Sequence, residues 1–403
     1  MSAKLKLFFV SLLVLFLGFW VGSSIYKYFS YKDSPKIILV GLRDGDYYMG
    51  NITCFIKSDN DYKVDEVSLF LDDKPFAFGS KKVRAKKFEI PFKIETEQLE
   101  NGKHSLIIES VDSSYNRNKS KDVWIFYVDN KPLKSALLQS ELKIDQGKTL
   151  HIKLQANKKL EKVTAKLLGD FYDFYPESKN STLYECFIPL DCEDNEGEHL
   201  LEVEVRDFVK NNVRLTGNVK INKSDFPRQK GFSVSKAKID EEKEISMNNK
   251  ILSDALEKWL KESPKEKMWS GPFETPTVVQ WIATPFGEIR TTPERGRYLH
   301  KAVDIANRPG SVIWASQNGR VIIKDRYVLS GNTIVIDHGL GVFTHYYHLE
   351  DFADVEVGDF VKKGNPIGKL GMTGYATGPH LHWALFVKNI PVDPFQWTKK
   401  SFF

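Results

Sequence analysis

The chain has 403 residues, 41% of them hydrophobic and 13% aromatic, with 58 Lys and Arg against 53 Asp and Glu for a formal charge of +5. That length suggests roughly two to four domains, and the apolar content is ample for folded cores. The lysines are scattered, with no arginine-rich arm or dense basic block, so composition argues against nucleic-acid binding; the mild positive excess suits an acidic polymer.

Residues 1–30 open with Lys4 and Lys6 and then run without a charge from Leu7 to Tyr26. Twenty uncharged residues rich in Leu, Phe and Val can span a bilayer as a helix. The stretch Phe19-Trp20-Val21-Gly22-Ser23-Ser24-Ile25-Tyr26 has no A-x-A-like cleavage site, which favours an uncleaved anchor over a signal peptide. Trp20 and Tyr26 suit the membrane interface, and the near-balanced flanking charge gives slight support to a cytoplasmic N-terminus. The bulk of the chain is then exported.

Residues 35–131 read as short alternating strands separated by turns such as Asp72-Asp73-Lys74-Pro75 and Asn101-Gly102, the pattern of a β-sandwich. Residues 134–222 repeat it. Aligning Gly102–Asn116 with Gly197–Asn211 at a constant offset of 95 matches six of fifteen positions, among them Asp112 with Asp207, so a duplication is expected. The repeated fragment resembles the late hairpin of bacterial Ig-like domains. His104 and His199 read as surface strand residues. The three cysteines, Cys54, Cys186 and Cys192, do not make a disulfide scaffold. Along an extended strand Cys186 and Cys192 would lie about 20 Å apart, whereas a bridge needs about 5.5 Å between Cα atoms.

Residues 223–265 are charged and low in aromatics, and the run Asp240-Glu241-Glu242-Lys243-Glu244 reads as a solvated face or linker. Ile251, Leu252, Ala255, Leu256, Trp259 and Leu260 share one helical face, with Asn248 or Asn249 as cap and Pro264 as stop. Such a face predicts a helix docked on a neighbouring domain; a helix that gates a site is the sharper alternative. From 266 to 403 the chain is Gly- and β-rich again, and His338-Gly339-Leu340-Gly341 joins two strands as a hairpin.

Six of the nine histidines fall between residues 300 and 382. His380 and His382 form an H-x-H, which on a strand points both imidazoles to one face. His300 lies four residues before Asp304. Two histidines and one carboxylate, with a fourth position open, suit a hydrolytic Zn²⁺ site better than the all-oxygen sets of Mg²⁺ or Ca²⁺. His300, Asp304 and His382 are the expected ligands. His348 and His380 remain as candidates for moving protons or stabilising an oxyanion.

In order along the chain stand His300-Lys301-Ala302-Val303-Asp304, then Gly331-Asn332-Thr333-Ile334-Val335-Ile336-Asp337-His338-Gly339, then Tyr346-Tyr347-His348-Leu349. Gly358–Gly364 and Thr373–Trp383 follow. With these, the stretch from about Gly271 to Trp397 resembles the lysostaphin/LytM-type zinc endopeptidases. The resemblance implies ligands at His300, Asp304 and His382 and catalytic histidines at His348 and His380, without assigning which of the two is the base; His338 and His345 read as structural. It implies cleavage of peptide crosslinks in bacterial peptidoglycan, at glycyl-glycine bonds or, as the expected target, at D-Ala to diaminopimelate. With the N-terminal anchor, the expected place is the inner membrane facing the periplasm, where a lytic activity calls for an envelope protein regulator. A relative that has lost catalysis and activates cell-wall amidases is the alternative, against which the complete five-residue set stands. The 355–364 hairpin also resembles lipoyl- or biotinyl-type carrier domains, but no modifiable lysine sits at a tight turn. The whole is thus expected to be all-β and mainly antiparallel: an anchor at 1–30, Ig-like sandwiches at 35–131 and 134–222, a linker with a helix at 223–265, and the peptidase domain at 266–403.

Overall fold

A computed structural model describes residues 3–229, 252–292 and 296–402. The run Asp240–Glu244, the cap candidates Asn248 and Asn249, and Ile251 lie outside the described residues. The chain is all-β apart from a few helices, and it divides into two compact units: residues 1–132 with 208–211, and residues 133–207 with 212–403.

In the first unit, helix α1 (Ala3–Ser30) contains a 21-residue stretch, Val10–Ser30, long and apolar enough to cross a membrane. Its end is tied to a turn of the β region, where Tyr115 N donates to Tyr28 O at 3.0 Å and Asn116 Nδ2 donates to Tyr31 O at 2.8 Å. The described strands of the β region are hydrogen-bonded into one six-stranded sheet. Its two longest strands, β1 (Asn51–Leu71) and β2 (Lys74–Glu95), pair along almost their whole length. The pairing register shifts between Asp59 and Val64. Bulges of this kind bend and twist a strand. Ile52, Cys54 and Ile56 from one half of β1 and Val64, Val67 and Leu69 from the other therefore meet in a single core. Strands β3 (Gly102–Asp112) and β4 (Lys119–Val128) complete its hairpin.

Residues 133–222 form sheets of five and four strands around one core. Strands β5 (Thr149–Ala156) and β6 (Leu183–Pro189) pair in one sheet; β7 (Gly197–Asp207) and β8 (Asn212–Asn222) form the hairpin of the other. In β7, Leu201, Val203, Val205 and Asp207 are buried while Glu202, Glu204 and Arg206 are exposed, so the alternation sets its register. The repeated fragments fall on β3 and β7. In both, the histidine Nε2 meets a backbone carbonyl four residues earlier at 2.8 Å: His104 with Glu100 O, His199 with Asn195 O. His199 is half-buried as a strand residue. His104 is not a surface residue: it is buried, because Asp72 Oδ2 meets its Nδ1 at 2.6 Å and, with Glu100 O at Nε2, both ring nitrogens are satisfied. All three cysteines are buried and free.

The same unit continues into a ten-stranded sheet. Its strands that matter here are β9 (Trp281–Thr284), β12 (Val303–Ala306), β13 (Gly319–Tyr327), β14 (Gly331–Asp337), β15 (Val342–Phe352) and β16 (His380–Val387). They lie in the order β9-β12-β16-β15-β14-β13. A separate two-stranded hairpin, β10 (Glu288–Thr292) and β11 (Gly296–His300), precedes β12. The helix over 252–262, α2, lays Leu252, Ala255, Leu256, Trp259 and Leu260 on Ile322, Ile323, Val335 and Phe343, with Phe386 beside them. Phe343 pairs with Phe386 and Tyr347 with His382. Opposed residues of an antiparallel pair share a face, so α2 covers the same face of the sheet that carries the H-x-H, further along the strands.

Candidate active site

Asp304 on β12 and His382 on β16 are direct partners in the antiparallel ladder, which sends both side chains to one face. His300 ends the hairpin strand β11, and its carbonyl accepts from Gly287 N at 2.8 Å. Three donor atoms converge. Asp304 Oδ1 lies 3.2 Å from His300 Nε2 and 3.0 Å from His382 Nδ1, and the two nitrogens are 3.2 Å apart. A tetrahedron built on metal–ligand bonds of about 2.0–2.1 Å has edges of roughly 3.3 Å. The donor set and its spacing therefore fit a zinc ion, and the three residues form a metal-competent cluster. Asp304 is mostly buried, which alone would raise its pKa. Hydrogen bonds from His300 and His382 outweigh this and hold the carboxyl well below the usual carboxylate range. Burial lowers the pKa of His382, opposed by Asp304, so the imidazole tends to the neutral form a ligand requires.

His348 and His380 flank this cluster, with ring centroids 4.8 Å apart. His380 Nε2 lies 3.8 Å from Asp304 Oδ1, and the His348 ring is 6.0 Å from that of His382. Each turns Nδ1 away onto a backbone carbonyl, His348 onto Thr373 O and His380 onto Gly378 O, both at 2.8 Å. An acceptor at Nδ1 places the proton of the neutral ring there and leaves Nε2 with its lone pair toward the site. Burial, with the neighbouring His382 and His380 adding to it, pushes His348 down to about 3, so it is neutral near pH 7.

Strict alternation along β15 would put His348 on the same face as Tyr346, in the core, and not beside His380. A bulge prevents this. Asn332 pairs with Leu349 and Ile334 with Tyr346, so Tyr347 and His348 together stand opposite one residue of β14. His348 takes φ +62°, a left-handed conformation uncommon for a residue with a side chain, and its amide donates to Ser330 O at 2.8 Å. The loop that supplies Thr373 O sits close: a Cβ on Gly374 would lie 2.3 Å from Gly331 N, so only glycine lets these backbones meet.

The five residues singled out in the sequence are thus brought together. His338 is fully buried between Asn318 O and Thr344 Oγ1, each at 2.7 Å. His345 is buried too, stacked on Phe386 with centroids 4.3 Å apart, and burial pushes it down to about 3. Sequence reasoning missed two residues. The ring of Tyr347 lies on that of His382, and its hydroxyl is 2.8 Å from His345 Nδ1. Trp281, on the edge strand, pairs with Ala306, which pairs with His380; it shares their face and is 61% exposed. Both depend on strand register, for which the sequence carried no signal.

Residues 298–394 match the model described as Peptidase family M23. The C-terminal part of the chain is an M23 peptidase domain. Over 113 residues it is 37% identical to the Peptidoglycan DD-endopeptidase ShyB of Vibrio cholerae, covering 28% of this chain and 26% of that protein. Over 120 residues it is 38% identical to the DD-carboxypeptidase/endopeptidase Mpg of Neisseria meningitidis, covering 30% and 27%. The match thus spans about a quarter of the length of these relatives. Among solved structures, the catalytic domain of lysostaphin from Staphylococcus simulans is 28% identical, with 35% of this chain and 96% of that one covered and a TM-score of 0.23. A zinc-containing peptidase from Vibrio cholerae covers 74% and 86% at 17% identity, with a TM-score of 0.30.

Proposed function

We propose that this protein is a zinc-dependent endopeptidase that hydrolyses peptide crosslinks of bacterial peptidoglycan, with the D-Ala to diaminopimelate bond as its target. The observation that carries the reading is the pair of Nδ1-anchored histidines, His348 and His380, set against a three-ligand cluster of His300, Asp304 and His382. The names of the Vibrio and Neisseria relatives support the substrate class.

His300, Asp304 and His382 would hold a zinc ion, which when bound would supply Lewis acidity toward water and a carbonyl oxygen. The chain's own residues do the rest. Nε2 of one flanking histidine accepts the proton from the attacking water. The other, carrying a proton on Nε2 as well as on Nδ1, steadies the oxyanion and passes that Nε2 proton to the leaving amine. The bulge at His348 sets the two rings close enough to serve one scissile bond. Helix α1 is read as an uncleaved anchor in the inner membrane, and the β regions between as a spacer that carries the catalytic domain into the envelope toward the stem peptides.

The test uses soluble 28–403 on purified crosslinked peptidoglycan, with products identified by mass spectrometry. Crosslinked dimers should fall to monomers with zinc, and not with a chelator or after His380→Ala. Zinc binding without cleavage of any crosslink would instead favour a regulator of other wall hydrolases.

A further inference from the structure

The three residues read as ligands do not share one scaffold. Asp304 and His382 are neighbours in the ten-stranded sheet, while His300 belongs to the separate β10–β11 hairpin. A two-stranded hairpin is marginal by itself. Ligand histidines are usually oriented by a hydrogen bond on the other ring nitrogen. His300 Nδ1 is buried and has no such partner among the described residues. The position of His300 must therefore come from whatever fixes the hairpin against the sheet.

Part of that support comes from residues 133–222. A turn there presents Asp191, Cys192 and Glu193. Asp191 Oδ2 is 2.6 Å from Nζ of Lys301, the residue that follows His300. Glu193 Oε1 is 2.7 Å from Nη1 of Arg297, on the hairpin strand itself. Between them Cys192 is buried in the same core as Phe286, Val303 and Ile305, beneath the strand that carries Asp304. The turn is braced internally: Asp191 Oδ1 accepts from Glu193 N at 3.0 Å, and Asp194 Oδ2 accepts from Asp191 N at 2.7 Å. The segment leaving β8 adds a second brace. Ile289 N donates to Pro227 O at 2.8 Å, and Gln229 N donates to Ile289 O at 3.0 Å.

We infer that the Asp191–Glu193 turn is a positioning element for the metal site: it holds the root of the β10–β11 hairpin so that His300 Nε2 meets Asp304 and His382. The inference rests on reading those three residues as zinc ligands. The two ion pairs are partly exposed, with side-chain exposures of 31% and 26% for Lys301 and Asp191 and 51% and 54% for Arg297 and Glu193. Pairs so exposed add little to global stability. A ligand displaced by even a fraction of an ångström, in contrast, loses binding directly. The signature is thus weaker metal binding in a chain that melts normally.

The experiment measures zinc affinity of the full chain in detergent by competition with a chromogenic chelator, alongside metal-free thermal melting. The variants are Asp191→Asn with Glu193→Gln, and the charge swap Asp191→Lys with Lys301→Asp. The neutral double variant should bind zinc about tenfold more weakly, with its metal-free melting temperature unchanged. The swap should recover most of the lost affinity. Affinity within twofold of wild type in the double variant overturns the inference. So does a loss matched by a lower metal-free melting temperature, which would make the turn a general stabiliser. Where the double variant fails to fold, Lys301→Met is read in its place by the same criteria. A wild-type chain that binds no zinc sinks the ligand reading itself, an outcome distinct from any of these.

Discussion

Tyr347 lies flat on His382, with ring centroids 5.1 Å apart and planes within 1°, while its hydroxyl is bonded to His345. The stack fixes the plane of an imidazole whose Nδ1 faces the proposed metal site. Tyr347→Phe keeps the ring and should leave zinc affinity within about threefold. Tyr347→Ala removes it and should weaken zinc binding by about tenfold or more, the usual cost of losing a ligand's support. Competition with a chelator measures both.

His348 and His380 act on protons and do not hold the ion in the proposed mechanism. His348→Ala and His380→Ala should each lower kcat by about 10²–10⁴-fold, the usual range for general acid–base groups, while both variants retain one zinc per chain by elemental analysis. Loss of zinc from either would move that residue into the ligand set.

Trp281 stands exposed beside the catalytic face, two strand spacings or about 10 Å from His380. Its exposed ring is placed to meet substrate that lies along this face. Trp281→Ala should raise KM about three- to tenfold on crosslinked muropeptides and leave kcat within about twofold, the pattern of lost uniform binding.

Glu185 on β6 is buried, with Lys267 Nζ at 2.7 Å and His151 Nε2 at 3.2 Å. Burial alone would raise its pKa, but His151 and Lys267 outweigh it and hold the carboxyl at about 2, below its ordinary 4.5. A depressed carboxyl stabilises the fold above its unfolded pKa and loses that contribution as pH falls through the folded value. Stability of soluble 28–403 should therefore fall by about 3 kcal/mol between about pH 4.5 and pH 2 on account of this group. Urea unfolding should show a shallower slope over that window in Glu185→Gln.

Lys267 is one of several residues that bind the peptidase region to residues 133–222. Phe187 packs among Trp269 and Trp397, with centroids 5.6 and 5.4 Å away. Gln396 trades hydrogen bonds with the backbone of Thr149 at 2.7 and 2.9 Å. Fragment 266–403 loses Phe187 and Cys192 from its cores, worth about 2 kcal/mol each. It should melt more than about 10 °C below fragment 133–403. Equal melting temperatures would show that this seam adds nothing.

How much of this was legible beforehand differs residue by residue. The shared face of His380 and His382 follows from a period of two and needed no fold. The pairing of Asp304 with His382 is a matter of register between strands 78 residues apart, and no local pattern encodes it; the resemblance of the motifs supplied it instead. The bulge at His348 was invisible for the same reason, since alternation along β15 alone assigns that side chain to the core. In the first β region, β1 runs on through Asp59 and Asn60, where no local pattern announces a strand of 21 residues. Their polarity marks the bend of a long strand. His104 was misjudged because its acceptor, Asp72, comes from a neighbouring turn 32 residues away.

Cys54, Cys186 and Cys192 stay as thiols inside three separate cores. Burial pushes them up to about 11, 12 and 12, so almost none is thiolate near neutral pH. Nucleophilic exchange needs the thiolate and access to it, and the folded chain offers neither. In the folded chain these three thiols are shielded from exchange with the redox couples of its compartment. The nascent chain has no such shelter: Cys186 and Cys192, only six residues apart, can close a small ring that would keep Cys192 from its seat beneath Val303 and Ile305. In an oxidising compartment, the order of events decides the yield, and burial of Cys192 has to outrun oxidation.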